Sequence, residues 1–186
     1  TEKVSRMQEV YIPEIHIDDK HERYTHLLSR VKGLEPIPTA VAHPCDRESL
    51  KGPVIAFQKG IIEPILVGPE FKIRAVAEEF GIDLHGIRIV HAAHSHDAAA
   101  MAVSLVRTGD AEALMKGSLH TDEMMSEVVA RANGLRTNRR ISHVFVMNVP
   151  TYHRPLLITD AAINIAPTLE DKVDIIQNAI ELAHIL

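Results

Sequence analysis

The sequence predicts an α/β fold built on an open, mostly parallel sheet with helices on both faces. Three observations predict it. Short apolar runs alternate with helical stretches of about ten residues or more, so each strand is followed by a crossover rather than a hairpin. The runs are apolar at successive positions rather than at every second one, as expected of strands covered on both sides. Beyond residue 140 the alternation stops and two strands follow one another directly, which marks the start of a second lobe.

Residues 1–36 read as a linker or N-terminal arm. Ile12 to Asp19 alternates without settling into a period, and His21 to Val31 suits a polar helix stopped by Gly33, Pro36 and Pro38. Residues 37–140 read as a first α/β lobe. Thr39–His43 is its first strand, followed by a helical stretch from Leu50 to Gln58. Pro64–Val67, closed by Gly68, precedes a helix from Glu70 to Phe80. Arg88–His91 precedes the alanine-rich helix Asp97–Val106, and Ala113–Met115 runs into Lys116-Gly117 and a helix near Thr121. Residues 141–186 read as the incomplete start of the second lobe. It contains His143–Met147 and Leu156–Ile158 as a directly joined pair, then a helix begun by Pro167. On that helix Leu169, Val173, Ile176, Ile180, Leu182 and Ile185 fall at helical spacing and form a face that needs covering.

Composition narrows the function classes. The 186 residues are 46% hydrophobic and 24% charged, which are globular proportions. Lys+Arg number 20 against 25 Asp+Glu, a net charge of −5, so no basic excess exists to grip a nucleic acid backbone. The most apolar stretch, Ala98–Val106, is bounded by Asp97 and Arg107 and is too short to span a bilayer, so no membrane partner is expected. A single cysteine rules out an intrachain disulfide framework. With no secretory leader at Thr1, the expectation is a cytoplasmic location.

Five segments carry candidate chemistry. His91, His94 and His96 have spacings that suit imidazoles around zinc or another divalent ion. Equally, Asp97 suits a helix N-cap, with the histidines satisfied by nearby backbone. Cys45, two residues after His43 and near a helix start, has the placement of a thiolate nucleophile, or of a small core residue. Lys116-Gly117-Ser118-Leu119-His120-Thr121 lies where a parallel strand ends and a helix begins, the place where open α/β sheets receive ligands and backbone N–H groups attract anions. Arg136, Arg139 and Arg140 concentrate guanidinium forks suited to phosphate, or form a solvated turn. Asp160 and Asn164, after the last strand, suit a polar site or a turn.

Taken together the segments resemble the phosphate acetyl/butyryltransferase family. The resemblance rests on Glu63–Gly68, Ala113–Gly117 with His120-Thr121, Gly134–Thr137, Ile141–Val144, Leu157–Pro167 and Asp174–His184. It covers roughly Ile37 to the end. It looks closer to the butyryl-type branch, and to chains in which a hydratase-like (hot-dog) domain precedes the transferase. The resemblance implies a two-lobed isocitrate-dehydrogenase-like fold, usually dimeric, that converts acyl-CoA and inorganic phosphate to acyl phosphate and CoA. Coenzyme A is then a substrate, and no metal or redox cofactor takes part.

Position by position, the resemblance implies that Lys116, Gly117, Ser118, His120 and Thr121 contact phosphate or the acyl group, and that Arg136 meets a phosphate-bearing ligand. It implies that Asp160 and Asn164 shape the lobe junction rather than perform chemistry. Two departures stand out. Ser126 occupies a position where many relatives carry a basic residue. The family's proposed aspartate base belongs to a C-terminal stretch not present here, so the expectation is a C-terminally truncated transferase that is inactive or nearly so by itself. Two other classes remain as alternatives. One is a non-catalytic module binding CoA or phosphate ligands. The other is a metal- and NAD-dependent dehydrogenase of related fold, which the missing GxGxxG disfavours.

Overall fold

The computed structural model describes residues 22–149, 152 and 154–186; the segment Ile12–Asp19 lies outside the described residues. The chain forms two compact units, one of residues 31–139 and one of residues 140–186 together with residues 22–30.

In the first unit, strand β1 (Ile37–Ala42), helix α2 (Arg47–Gln58), strand β2 (Ile62–Gly68), helix α3 (Glu70–Phe80), strand β3 (Arg88–His91), helix α4 (Ser95–Thr108), strand β4 (Ala113–Lys116) and helix α5 (Thr121–Val128) follow in order. The four strands form one parallel sheet in the order β3-β2-β1-β4. Pro64 sits within β2, yet the pairing to β3 begins only at Ile65 with Arg88, so the N–H that proline lacks falls beside the end of that ladder.

Side-chain alternation along β1 and β2 divides the core into two layers. Ala40, Ala42, Ile65 and Val67 pack with Ala98, Ala99, Ala102 and Leu105 of α4. Val41 and Leu66 pack on the opposite side with Leu50, Ile73 and Ala77 of α2 and α3. The alanines on one face of α4 let that helix approach the sheet closely. With α2 and α3 on one side and α4 on the other, the chain reverses its winding between β1 and β4, and this is the switch point of the sheet.

Helix termini follow the local sequence. Asp46 caps α2 in a capping box with Ser49, and Gly81 and Gly109 end α3 and α4 in the left-handed conformation.

The second unit holds strands β5 (Val144–Met147) and β6 (Leu156–Thr159), paired antiparallel with Val144 opposite Thr159, and helix α6 (Leu169–Ile185). Helix α6 is capped by Thr168 in a capping box with Asp171, so Pro167 precedes the cap rather than starting the helix. Helix α1 (Glu22–Val31) reaches this unit through Arg30, whose guanidinium donates to the carbonyls of Ile185 and Leu186 at the C-terminal end of α6.

The apolar stripe of α6, read from the sequence as a face that needs covering, is largely uncovered among the described residues. Val173 is 63% exposed and Ile176 55% exposed, whereas Ile175 is buried and Asp171, Asp174, Asn178 and Leu182 are half-buried. The reason is polar. Arg140 pairs with Asp171, its backbone N–H donates to Asp174, and Asn178 donates to the Arg140 carbonyl and the Ser142 hydroxyl, which turns this side of the helix toward the unit's own chain.

Candidate functional site

The loops that leave β1 and β4 meet at the switch point and are bound to each other by their backbones. The Gly117 N–H donates to the Ala42 carbonyl at 2.8 Å, and the Ser118 N–H donates to the His43 carbonyl at 2.9 Å. Gly117 has no substitute here: a Cβ would lie 2.4 Å from the Ala42 oxygen and 2.6 Å from the His43 oxygen. The Ser118 hydroxyl also donates to the His43 carbonyl at 2.8 Å and accepts from the Cys45 N–H at 3.1 Å.

His43 stands at the centre of this junction with φ of +54°, a left-handed conformation at the residue preceding Pro44. Outside glycine such backbone is uncommon and costs on the order of 1–3 kcal/mol, so it persists only where its surroundings hold it. The three donations to its carbonyl, from Cys45 N–H, Ser118 N–H and Ser118 O–H, provide that hold.

Lys116 is exposed and arches over its own loop, its ammonium donating to the Leu119 carbonyl at 2.7 Å and the Gly117 carbonyl at 3.3 Å. It also lies close enough to Asp46 to favour that carboxylate. Asp46 is held below the usual range chiefly by the Ser49 backbone N–H. His120 is the cap residue of α5 but makes no side-chain capping bond, so the first-turn N–H groups of that helix are not taken by a side chain of the cap.

Arg136 follows the end of α5, where Leu135 N–H returns to the Val128 carbonyl and a Cβ on Gly134 would meet the Val128 and Ala130 oxygens at 2.5 Å. The guanidinium is exposed and has no hydrogen bond or ion pair among the described residues.

The three arginines are shared between the two compact units. Arg136 and Arg139 belong to the first unit. Arg140 belongs to the second, where Asp171, Asp174 and Asn164 engage it.

Asp160 and Asn164 organise a turn after β6. The Asp160 carboxylate accepts from the backbone N–H groups of His143, Ala162, Ile163 and Asn164 and from the Asn164 side chain. Desolvation alone would raise this carboxyl, but those donors outweigh it and bring it down to about 2. Asn164 also donates to the Ile141 carbonyl.

At two positions where the sequence leaves alternatives open, the structure favours one of them. Burial pushes the Cys45 thiol up to about 11, against a smaller opposing pull from Lys72, so this is not an activated thiolate. The histidine cluster forms no ligand set. His94 itself caps α4, accepting from Asp97 N–H, while its other ring nitrogen lies 3.2 Å from the Asp97 carboxylate. The His96 ring faces Glu123 at 3.9 Å. Among the described residues no three His, Cys, Asp or Glu side chains are grouped to hold a metal ion.

Two residues went unassigned in the sequence. His43 was considered only as a partner for Cys45. Glu123 has a buried Oε2 with no hydrogen-bond partner among the described residues. The His-Pro pair ending a strand was the available signal for the first; Glu123 had none. Ser126 donates its hydroxyl to the Glu123 carbonyl within α5.

Comparison with known proteins places the chain in a family. The family model described as Phosphate acetyl/butaryl transferase matches residues 92–186. A protein of Rickettsia prowazekii named phosphate acetyltransferase is 54% identical over 95% of this chain and 52% of its own length. One of the same name from Rhizobium meliloti is 59% identical over 86% of this chain and 51% of its own. A phosphate butyryltransferase of Clostridium acetobutylicum is 35% identical over 87% of this chain and 54% of its own. The chain thus spans about half the length of the curated relatives it matches.

Among solved structures, a branched-chain phosphotransacylase from Enterococcus faecalis superposes with a TM-score of 0.58 at 25% identity, over 80% of this chain and 51% of that one. A phosphotransacetylase from Streptococcus pyogenes shares the fold with a TM-score of 0.68 at 18% identity, over 82% of this chain and 54% of that one. No helix among the described residues is long and apolar enough to cross a membrane.

Proposed function

The chain belongs to the phosphate acetyl/butaryl transferase family, and from that premise we propose that the protein moves an acyl group between coenzyme A and inorganic phosphate. The observation that supports this reading is the pairing of the β1 and β4 loops at the switch point through the Gly117 and Ser118 N–H groups, at a glycine with no room for a Cβ.

The chemistry suits what these residues offer. A phosphate oxygen attacks the thioester carbonyl, the C–S bond breaks, and the proton of hydrogen phosphate ends on the departing sulfur. Such a reaction gains most from holding two anionic reactants in line and from donors placed where negative charge collects. Lys116 and the N–H groups opening α5 receive phosphate or the developing oxyanion, and Arg136 meets a phosphate-bearing part of the ligand. Asp160 and Asn164 shape backbone rather than take part in the chemistry. The reaction so written uses CoA as substrate and asks for no metal or redox group.

Acetyl is the first acyl group to try. The identities of 54% and 59% are to relatives named phosphate acetyltransferase, against 35% to one named phosphate butyryltransferase, so the expected leaning toward the butyryl branch is not upheld. We read the protein as cytoplasmic, where CoA thioesters are available, and as self-associating, in keeping with the exposed apolar side chains of α6.

The test is phosphate-dependent release of CoA thiol from acetyl-, propionyl- and butyryl-CoA. It is run on this chain and on a chimera in which the chain replaces the matching half of the Rhizobium meliloti relative. Turnover in the chimera supports the transferase. Binding of CoA without turnover in either, the relative itself being active, replaces it with a binding module.

A further inference from the structure

We propose that His43 is a phosphate-binding residue, its ring locked so that Nε2 presents a lone pair to the O–H of hydrogen phosphate. The inference rests on the phosphate reading of the Lys116–Thr121 loop and adds a residue from the neighbouring strand.

The hydrogen bonds determine which nitrogen carries the proton. Nδ1 lies 3.2 Å from the Ser118 carbonyl and 3.4 Å from the Ser118 hydroxyl oxygen. A carbonyl only accepts. The hydroxyl has one hydrogen, and it is directed to the His43 carbonyl at 2.8 Å. Neither neighbour therefore has a proton to offer, and Nδ1 must be the donor. In the neutral ring the lone pair is then on Nε2, which has no hydrogen-bond partner among the described residues.

The backbone points the same way. At φ of +54° a glycine would be unstrained, and the residue before a proline is restricted further, so the imidazole is kept at a conformational cost. Strain of this kind, held in place by a neighbouring loop, gathers where ligands are received. Hydrogen phosphate has one O–H to give and three oxygens to be donated to. Nε2 accepts the first, while the Lys116 ammonium, which has spent two of its three protons on the loop, keeps one for the others.

The experiment is a long-range proton–nitrogen correlation of the histidine rings of this chain, with inorganic phosphate as the probe. It is paired with phosphate affinity of the wild type and of His43→Asn. Asparagine tolerates the left-handed backbone and can place its amide N–H where Nδ1–H lies, but it offers nothing at the Nε2 position. The expected result is a His43 ring protonated on Nδ1 whose Nε2 resonance moves saturably with phosphate, and an affinity at least about tenfold weaker in His43→Asn, as loss of a hydrogen bond to a charged ligand implies.

Phosphate binding that shifts the Lys116 loop but leaves Nε2 still, with unchanged affinity in the variant, overturns the proposal while the loop reading stands. Absence of any phosphate binding overturns both. Should His43→Asn fail to fold, the wild-type ring resonances alone decide.

Discussion

A Cβ on Gly117 would stand 2.4 Å from the carbonyl oxygen of Ala42, so the end of β4 lies against the end of β1 with no room for a side chain between them. The neighbour is backbone of β1, an interior strand of the sheet, and cannot turn aside. Gly117→Ala is expected to part the two loops and to destabilise the first unit by about 1–3 kcal/mol, the usual cost of overpacking. Urea unfolding measures the loss, and the amide resonances of His43 and Ser118 report the parting. An alanine variant with wild-type stability and unmoved amides would refute the close approach.

Arg136 is predicted to separate binding from stability. It is exposed and unpaired among the described residues, so Arg136→Gln should change the unfolding free energy by no more than about 0.5 kcal/mol. The same change should weaken binding of a phosphate-bearing ligand severalfold, as seen by titration with CoA. Equal CoA affinity in both proteins would remove Arg136 from the site.

Asp160 makes stability depend on acid. Its carboxyl has an ordinary value of 3.8 and is brought to about 2 in the folded chain, where the donors from Ile163, Ala162, Asn164 and His143 outweigh desolvation. A lowered folded value means that the stabilisation is complete above 3.8 and is lost as pH falls through about 2. Urea midpoints of wild type and Asp160→Asn should therefore differ most at pH 5 and above, and converge as the pH is taken from about 4 toward 2. A gap that stays constant over that span contradicts the assignment.

The parallel sheet was legible because strands covered on both sides must be apolar at successive positions, as Val41-Ala42 and Ile65-Leu66-Val67 are. The loop after β4 was legible because Gly117 and the hydroxyl residues around it mark the carboxyl end of a strand entering a helix. Hydrophobic periodicity reports nothing about φ, so the left-handed His43, and with it the bond between the β1 and β4 loops, stayed hidden.

A pattern of residue types does not by itself say where its partners lie. The apolar stripe of α6 read as a face that needs covering and is largely exposed, but nothing in that stripe told that Arg140 and Ser142 draw the Asp171, Asp174 and Asn178 side inward. Of the arginines that suit phosphate or a solvated turn, Arg136 and Arg139 fall in one unit and Arg140 in the other, a division that residue types alone do not report.

The central claim is that phosphate is received where the β1 and β4 loops meet, and Lys116 tests it most directly. The measurement is the phosphate saturation of acetyl-CoA thiol release by the chimera with the Rhizobium meliloti relative, with and without Lys116→Met. The account predicts that KM for phosphate rises about tenfold or more in the variant while KM for acetyl-CoA changes far less, as expected when one ammonium contact to a dianion is lost. An unchanged phosphate KM in an active, folded variant would contradict it.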